Sequence, residues 1–285
     1  MTRLSPVPSS PLTLTSLTPE QLLDHLDSGR LWPALSESTD SMSMQQAYRR
    51  AQDVERLREQ RGERPRGYKI GFTNVDMWSR YGVTAPIWGR IWDTTISDAP
   101  DGTLPVWLDA LCQPRIEPEV VFGLRTAPAS PDPQALFEAI EWVAPGFEIV
   151  QSHRPDWRFT AEQTVVDGSL HGHLVIGPRK VLADLADDVT ALQDVLTALK
   201  VTLVRDGQPV EEGSGAKVLG NPLQALGHLV LGLSGDAQAS PLAAHDIVTT
   251  GTLTDAWPVQ AGQHWHAQYH GLWSDLSVSF RVERE

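Results

Sequence analysis

The chain has 285 residues, 41% hydrophobic and 21% charged, which allows a sizeable core in one large domain or in a main domain with a smaller lead segment. A formal net charge of −13 argues against nucleic acid as a partner, and no run of about 18 apolar residues is present to span a membrane. The single cysteine, Cys112, excludes an internal disulfide and fits a reducing cytoplasm, and the N-terminus lacks the basic flank and apolar core of a signal peptide.

Residues 1–16 are rich in Ser, Thr and Pro and read as a mobile arm. Thr18-Pro-Glu-Gln21 opens a helix, with Thr18 as N-cap, Pro19 at the first position and Gln21 completing a capping box; Gly29 ends it. A second helix is expected from about Met44 to Gln60, with Ala47, Ala51, Val54 and Leu57 on one side. Residues 17–66 thus form a helical N-terminal segment, and residues 67–285 the main domain. There the pattern turns to strands: Tyr68–Thr73, carrying a lone lysine, then a loop over Tyr81–Asp93 rich in Gly, Pro and aromatics. Gln113–Leu124 is a strand, Pro133–Val143 a helix, Pro145-Gly146 a turn and Phe147–Val150 a short buried strand. His173–Ile176 and Lys200–Arg205 are strands, and Asp206-Gly207 is a hairpin turn. Asn221-Pro222 caps a helix, and Asp246–Thr250, Gln263–Tyr269 and Ser277–Val282 are further strands. The expected fold class is α+β, largely β and mixed, with no P-loop or dinucleotide fingerprint.

The chemistry concentrates in a few blocks. Glu117 and Glu119 share one face of an extended chain, because side chains alternate, and Pro118 between them marks an edge, a bulge or a strand start. Glu148 interrupts the next apolar strand. Three acids embedded in apolar strands suit a hard divalent cation, Mg2+ or Mn2+ before Ca2+, and the absence of His or Cys at ligand spacing argues against zinc. The alternative is an exposed acidic face paired with Arg115 or Arg125. Lys69 either snorkels or faces an anion in a cleft. Asp93 is a general base or a turn cap. Gln163–Gly172 packs polar groups, Ser169 and His171 among them, before a buried strand, and Thr249–Thr252 ends a strand with hydroxyls and a flexible Gly251 suited to a carboxylate or carbonyl oxygen.

In order, the blocks Gly67–Thr73, Gln113-Pro-Arg-Ile-Glu-Pro-Glu119, Ala139–Glu148, Asp156-Trp157, Thr164-Val-Val-Asp167, Gly213–Pro222 and Asp246–Gly251 resemble the 2-keto-4-pentenoate hydratase and 4-oxalocrotonate decarboxylase group of the fumarylacetoacetate hydrolase superfamily. The resemblance covers roughly residues 67–280. It implies a strand-rich roll of mixed sheets with a helical N-terminal part, and a homo-oligomer. It also implies a divalent metal on Glu117, Glu119 and Glu148, with Lys69 on the substrate's enol or carboxylate oxygen. Asp93, which aligns only with a one-residue shift, would assist proton transfer, and Ser169, His171, Thr250, Gly251 and Thr252 would face the substrate. The chain departs from the pattern at Asp167-Gly-Ser-Leu170, where the serine comes one place early, and at His153 and His171. The implied reaction is hydration of a 2-hydroxy-2,4-dienoate to a 4-hydroxy-2-oxo acid. Decarboxylation of a 2-oxo-3-enedioate comes second and C–C hydrolysis of an acylpyruvate third; a non-catalytic assembly partner is the alternative of another class.

Overall fold

The computed structural model describes residues 12–36 and 42–283. The first helix, α1 (Pro19–Ser28), is capped by Thr18 and Gln21 as the capping box predicts, and ends on left-handed Gly29. It packs with α2 (Met44–Gln60) in a small core of its own, where Leu22, Ala47 and Val54 meet Ile87, Val165 and Val166 of the main domain. The expected mobile arm extends too far: residues 1–11 lie outside the described residues, but Leu14 and Leu17 are buried in that same core. Burial of these two apolar side chains is joined by the Arg50 guanidinium of α2, which donates to the Leu14 and Leu17 carbonyls.

From there the chain builds β1 (Pro65–Gly71), α3 (Trp78–Tyr81), β2 (Ile87–Trp92), β3 (Ile96–Asp98), β4 (Thr103–Trp107), β5 (Arg115–Leu124), α4 (Pro133–Ala139) and β6 (Ile140–Val150). It continues with α5 (Ala161–Val166), β7 (His171–Ile176), β8 (Lys180–Val181), α6 (Val189–Ala198), β9 (Lys200–Arg205), β10 (Gln208–Ser214) and α7 (Pro222–Gly235). The last elements are β11 (Ile247–Thr252), β12 (Trp257–Pro258), β13 (His264–Tyr269) and β14 (Leu276–Arg281). Among the described residues the larger sheet runs β2-β1-β11-β5-β6-β7-β3, with β12 and β8 appended, and the smaller runs β10-β9-β13-β14-β4. Pairings β1–β11, β3–β7 and β4–β14 are parallel and the rest antiparallel, so the α+β roll of mixed sheets is observed. No helix of the described residues is long and apolar enough to cross a membrane.

Several expectations shift. Tyr81–Asp93 is not all loop, since Ile87–Trp92 is a full strand beside β1. The helix expected over 133–143 stops at Ala139, and Pro145-Gly146 is no turn but the middle of β6. There is no room for a side chain at 146, where a Cβ would stand 2.5 Å from Val121 Cγ2. Helices α5 and α6 went unpredicted. The β5–β11 register slips between Thr249 and Thr252, opposite Val120 rather than Pro118; Pro118 lies beyond Glu119, its carbonyl accepting from Leu253 N, and it keeps its register with Phe147 of β6.

The large sheet has two unlike faces. Ile70 of β1, Ile116, Val120 and Phe122 of β5, and Phe147 and Ile149 of β6 point into the main core with α6, α7 and the smaller sheet. The opposite face carries Lys69, Glu117, Glu119 and Glu148, by the alternation of strand side chains.

Candidate metal centre and its cleft

Glu117 and Glu148 are direct cross-strand partners on β5 and β6, and Glu119 lies one pleat along the same face. Like charges opposite one another destabilise a sheet, so this register needs a compensating charge. One carboxylate oxygen from each acid falls within 4.8 Å of the others. Glu119 and Glu148 are fully buried, and Glu119 Oε1 and Glu148 Oε2 accept no hydrogen bond. Glu119 Oε1 has no partner and Glu148 Oε2 has only the Lys69 ammonium at 3.2 Å; converging with an oxygen of Glu117, they fit a hard cation that takes oxygen ligands and keeps some positions for water or substrate. Burial and mutual repulsion raise two of the acids: Glu117 goes up to about 7, and Glu119 lies well above the usual carboxylate range. Burial also presses on Glu148, but Lys69 and His171 outweigh it and hold its carboxyl below the usual value.

Lys69 is buried and on the same face. Its Nζ stands 3.2 Å from Glu148 Oε2 and donates to the Ser169 carbonyl at 3.0 Å. Burial alone would lower its pKa; Glu148, Glu117 and Glu119 together overcome that and raise it. The ammonium is therefore held charged, beside the acids, and is no snorkelling side chain. The other Glu119 oxygen accepts from Gly251 N at 2.8 Å and from the Thr249 hydroxyl, which fixes that carboxylate in its rotamer.

The remaining expected residues divide. Ser169, Gly251 and Thr252 line a cleft of about 490 Å³ together with Lys69 and Glu117. Ser169 has a positive φ of 55° and spends its hydroxyl on the Trp88 carbonyl at 2.6 Å, so its carbonyl, not its Oγ, works on Lys69. Thr250 is buried with its hydroxyl on the Val120 carbonyl, and braces the strand. His171 does not line this cleft. Its Nδ1 meets Glu148 Oε1 at 2.8 Å and its other nitrogen meets Thr95 Oγ1 at 2.8 Å, so it orients Glu148 from behind. Asp93 is also elsewhere: it is exposed, and its carboxylate caps Arg64 N at 3.0 Å. The turn-cap option describes it, and the proton-transfer role does not.

Sequence reasoning overlooked most of the cleft's walls. Tyr81 and Phe159 stack at 5.6 Å between centroids, and Phe72 and Trp157 extend the aromatic surface. Asp255 sits near enough to Glu117 to contribute to its raised pKa and lines the cleft. The aromatic pattern was visible in Trp157-Arg-Phe159, but nothing local in the sequence joins it to Tyr81.

Residues 98–274 match the family model described as fumarylacetoacetate (FAA) hydrolase C-terminal. A 2-hydroxyhexa-2,4-dienoate hydratase from Comamonas testosteroni is 31% identical over 92% of this chain and 95% of that protein. A 4-oxalocrotonate decarboxylase from Pseudomonas sp. (strain CF600) is 29% identical over 93% of this chain and 98% of that protein. Among solved structures, the 4-oxalocrotonate decarboxylase from Pseudomonas putida G7, complexed with magnesium and adipate, superposes with a TM-score of 0.80 at 26% identity, covering 93% of this chain and 99% of that one.

Proposed function

The chain belongs to the fumarylacetoacetate hydrolase C-terminal family, and from that premise we propose that it is a divalent-metal-dependent hydratase of 2-hydroxy-2,4-dienoates, forming 4-hydroxy-2-oxo acids. The observation that carries the reading is the trio Glu117, Glu119 and Glu148, with Glu119 Oε1 left without a partner, beside a charged Lys69 at the floor of an aromatic-walled cleft. Mg2+ or Mn2+ held there supplies Lewis-acid polarisation of a carboxylate and its neighbouring 2-oxygen.

The chain's own groups do the rest. Lys69 Nζ, steadied by the Ser169 carbonyl, faces the cleft with its positive charge and stabilises negative charge that develops on the 2-oxygen. The rings of Tyr81, Phe159 and Trp157 hold the flat diene and keep bulk water from it. With Asp93 out of reach, Asp255 is the cleft acid we assign to move the proton between the dienol and its ketone and to orient the added water. Thr252, whose hydroxyl is held by the Thr254 carbonyl at 2.9 Å, flanks it. The likeness to the P. putida decarboxylase keeps one second reading: loss of CO2 from a 2-oxo-3-enedioate, which uses the same polarised 2-oxygen.

Turnover in H2¹⁸O separates the two. A hydratase places ¹⁸O at C4 of the product, located by fragmentation because the C2 ketone also exchanges. Release of CO2 from a 2-oxo-3-enedioate, with no C4 label from any dienoate, would replace the hydratase reading with the second.

A further inference from the structure

The wall of the cleft next to the acids is built around an arginine, Arg115, that feels the charge of Glu117 but makes no ion pair with it. Arg115 precedes Glu117 by two residues on β5, so both side chains leave one face of the strand, ~7 Å apart along it. The Arg115 guanidinium lies over the Trp157 indole, 4.1 Å from the ring centroid. Trp157 is itself pinned: its Nε1 donates to the Gln113 carbonyl at 3.0 Å, while Gln113 Oε1 accepts from Asp156 N at 3.0 Å. Gln113, Asp156 and Trp157 have φ of 50°, 56° and 57°. Left-handed backbone is unfavourable for residues with a Cβ and persists where the surroundings enforce it. Three such residues in one platform hold one guanidinium in place.

Stacking occupies a face of that guanidinium and leaves its in-plane N–H groups, the fork that grips a carboxylate through two parallel hydrogen bonds. Arg80 adds a second cation at the mouth, 5.5 Å over the Tyr81 ring. Among the described residues neither arginine has a carboxylate within ion-pair distance, whereas Lys217, also on the cleft, is paired with Glu211 at 3.0 Å.

We propose that the substrate is a dianion: a 2-hydroxy-dienoate with a second carboxylate at its far end, gripped by Arg115 and attracted by Arg80. The inference rests on the reading above, in which the 2-oxo-acid end sits at the metal centre.

The test is calorimetric binding of two matched, unreactive ligands to the Mg2+-loaded protein: 2-oxohexanoate and 2-oxohexanedioate, which differ only in the far carboxylate. The dianion is expected to bind at least ~10-fold more tightly, the scale of a charged hydrogen-bonded contact. Arg115→Gln removes most of that preference by weakening the dianion alone, and Arg115→Lys keeps part of it, with charge but no fork. Equal affinities in the unaltered protein overturn the proposal. So does an Arg115→Gln variant that weakens both ligands alike, because the arginine would then serve the first carboxylate. Should Arg115→Gln lose Mn2+ binding and with it the native cleft, Arg80→Gln on exposed α3 carries the test, and a preference it leaves intact overturns the proposal. The calorimetry reads binding alone, and hydration of monoanionic and dianionic dienoates is measured beside it. A protein that prefers the dianion but hydrates no dienoate sinks the hydratase reading alone; equal hydration of monoanionic and dianionic dienoates sinks this proposal alone.

Discussion

Among the described residues, two clusters of buried charge are built on opposite terms. At the metal centre three glutamates face one lysine, two of the acids are pushed upward, and two oxygens accept no hydrogen bond. Behind it, His153 and Asp167 form a pair of one acid and one base. Asp167 Oδ1 takes the His153 ring at 2.5 Å and its Oδ2 takes the His153 backbone N–H at 2.8 Å. Burial alone would lower the His153 pKa, but Asp167 outweighs it and raises it. One cluster is balanced in charge and acts as a strut, although His153 Nε2 is buried without a hydrogen-bond partner; the other is unbalanced in charge and fits a cation. The strut also serves the site, because Asp167 leads directly into the Gly168–Leu170 turn whose Ser169 carbonyl receives Lys69.

The comparison breaks most sharply at Glu148. Glu148→Gln removes a ligand, a charge and the partner of both Lys69 and His171, and is expected to lower Mn2+ affinity by more than ~10²-fold. Titration followed by electron paramagnetic resonance reads this, and unchanged affinity would take Glu148 out of the centre. Next in size, Lys69→Ala should lower kcat/KM by ~10²-fold, as for a lost oxyanion donor, while Mn2+ still binds. Full activity would reduce the lysine to a packing role. The strut predicts the reverse pattern. His153→Asn leaves Asp167 buried with its ring partner gone and should cost about 3 kcal/mol of stability, read by denaturant melts, with metal affinity held within a few-fold. If the metal is lost and stability is not, the two clusters have been assigned the wrong way round.

The acids and Lys69 were legible because strand alternation puts them on one face whatever the rest of the chain does. The arrangement of what surrounds them was not. Strand β2 was hidden by Gly89, which reads as a loop residue, yet a Cβ there would meet the Gly168 carbonyl and Ser169 Cβ at 2.7 Å. The glycine that obscures the strand is the one that lets the Ser169 turn lie against it. His171 and Asp93 show the same limit. Each is near the acids by sequence pattern, but whether a side chain faces the cleft or its back depends on pairings such as β6–β7, with its slip between Ile149 and Val150. The His153–Asp167 pair joins residues fourteen apart in sequence and carries no local signal beyond the residue types.

The smallest effect is a slope of stability with pH, and its response to metal distinguishes the clusters. In the metal-free protein Glu117 and Glu119 have folded pKa values above those of the unfolded chain. The folded state then binds more protons than the unfolded state between the ordinary carboxylate value and the raised ones, so stability falls as pH rises through that window, which for Glu117 ends at about 7. One such proton gives at most about 1.4 kcal/mol per pH unit. His153, also raised, has the same sign at higher pH: its contribution is full below its ordinary value of 6.5 and is lost as pH rises through the folded value. Metal tells them apart, because ligand carboxylates are ionised when it is bound and their protons have already left. Thermal melts from pH 5 to about 8 should therefore show a downward slope above pH 5 in EDTA that Mg2+ makes shallower, Glu55, which burial also raises, keeping its share in both conditions, while the decline that Mg2+ leaves above 6.5 shrinks in His153→Asn. An identical slope with and without Mg2+ would mean that the three glutamates do not hold the ion, and the contrast between strut and site would have to be drawn elsewhere.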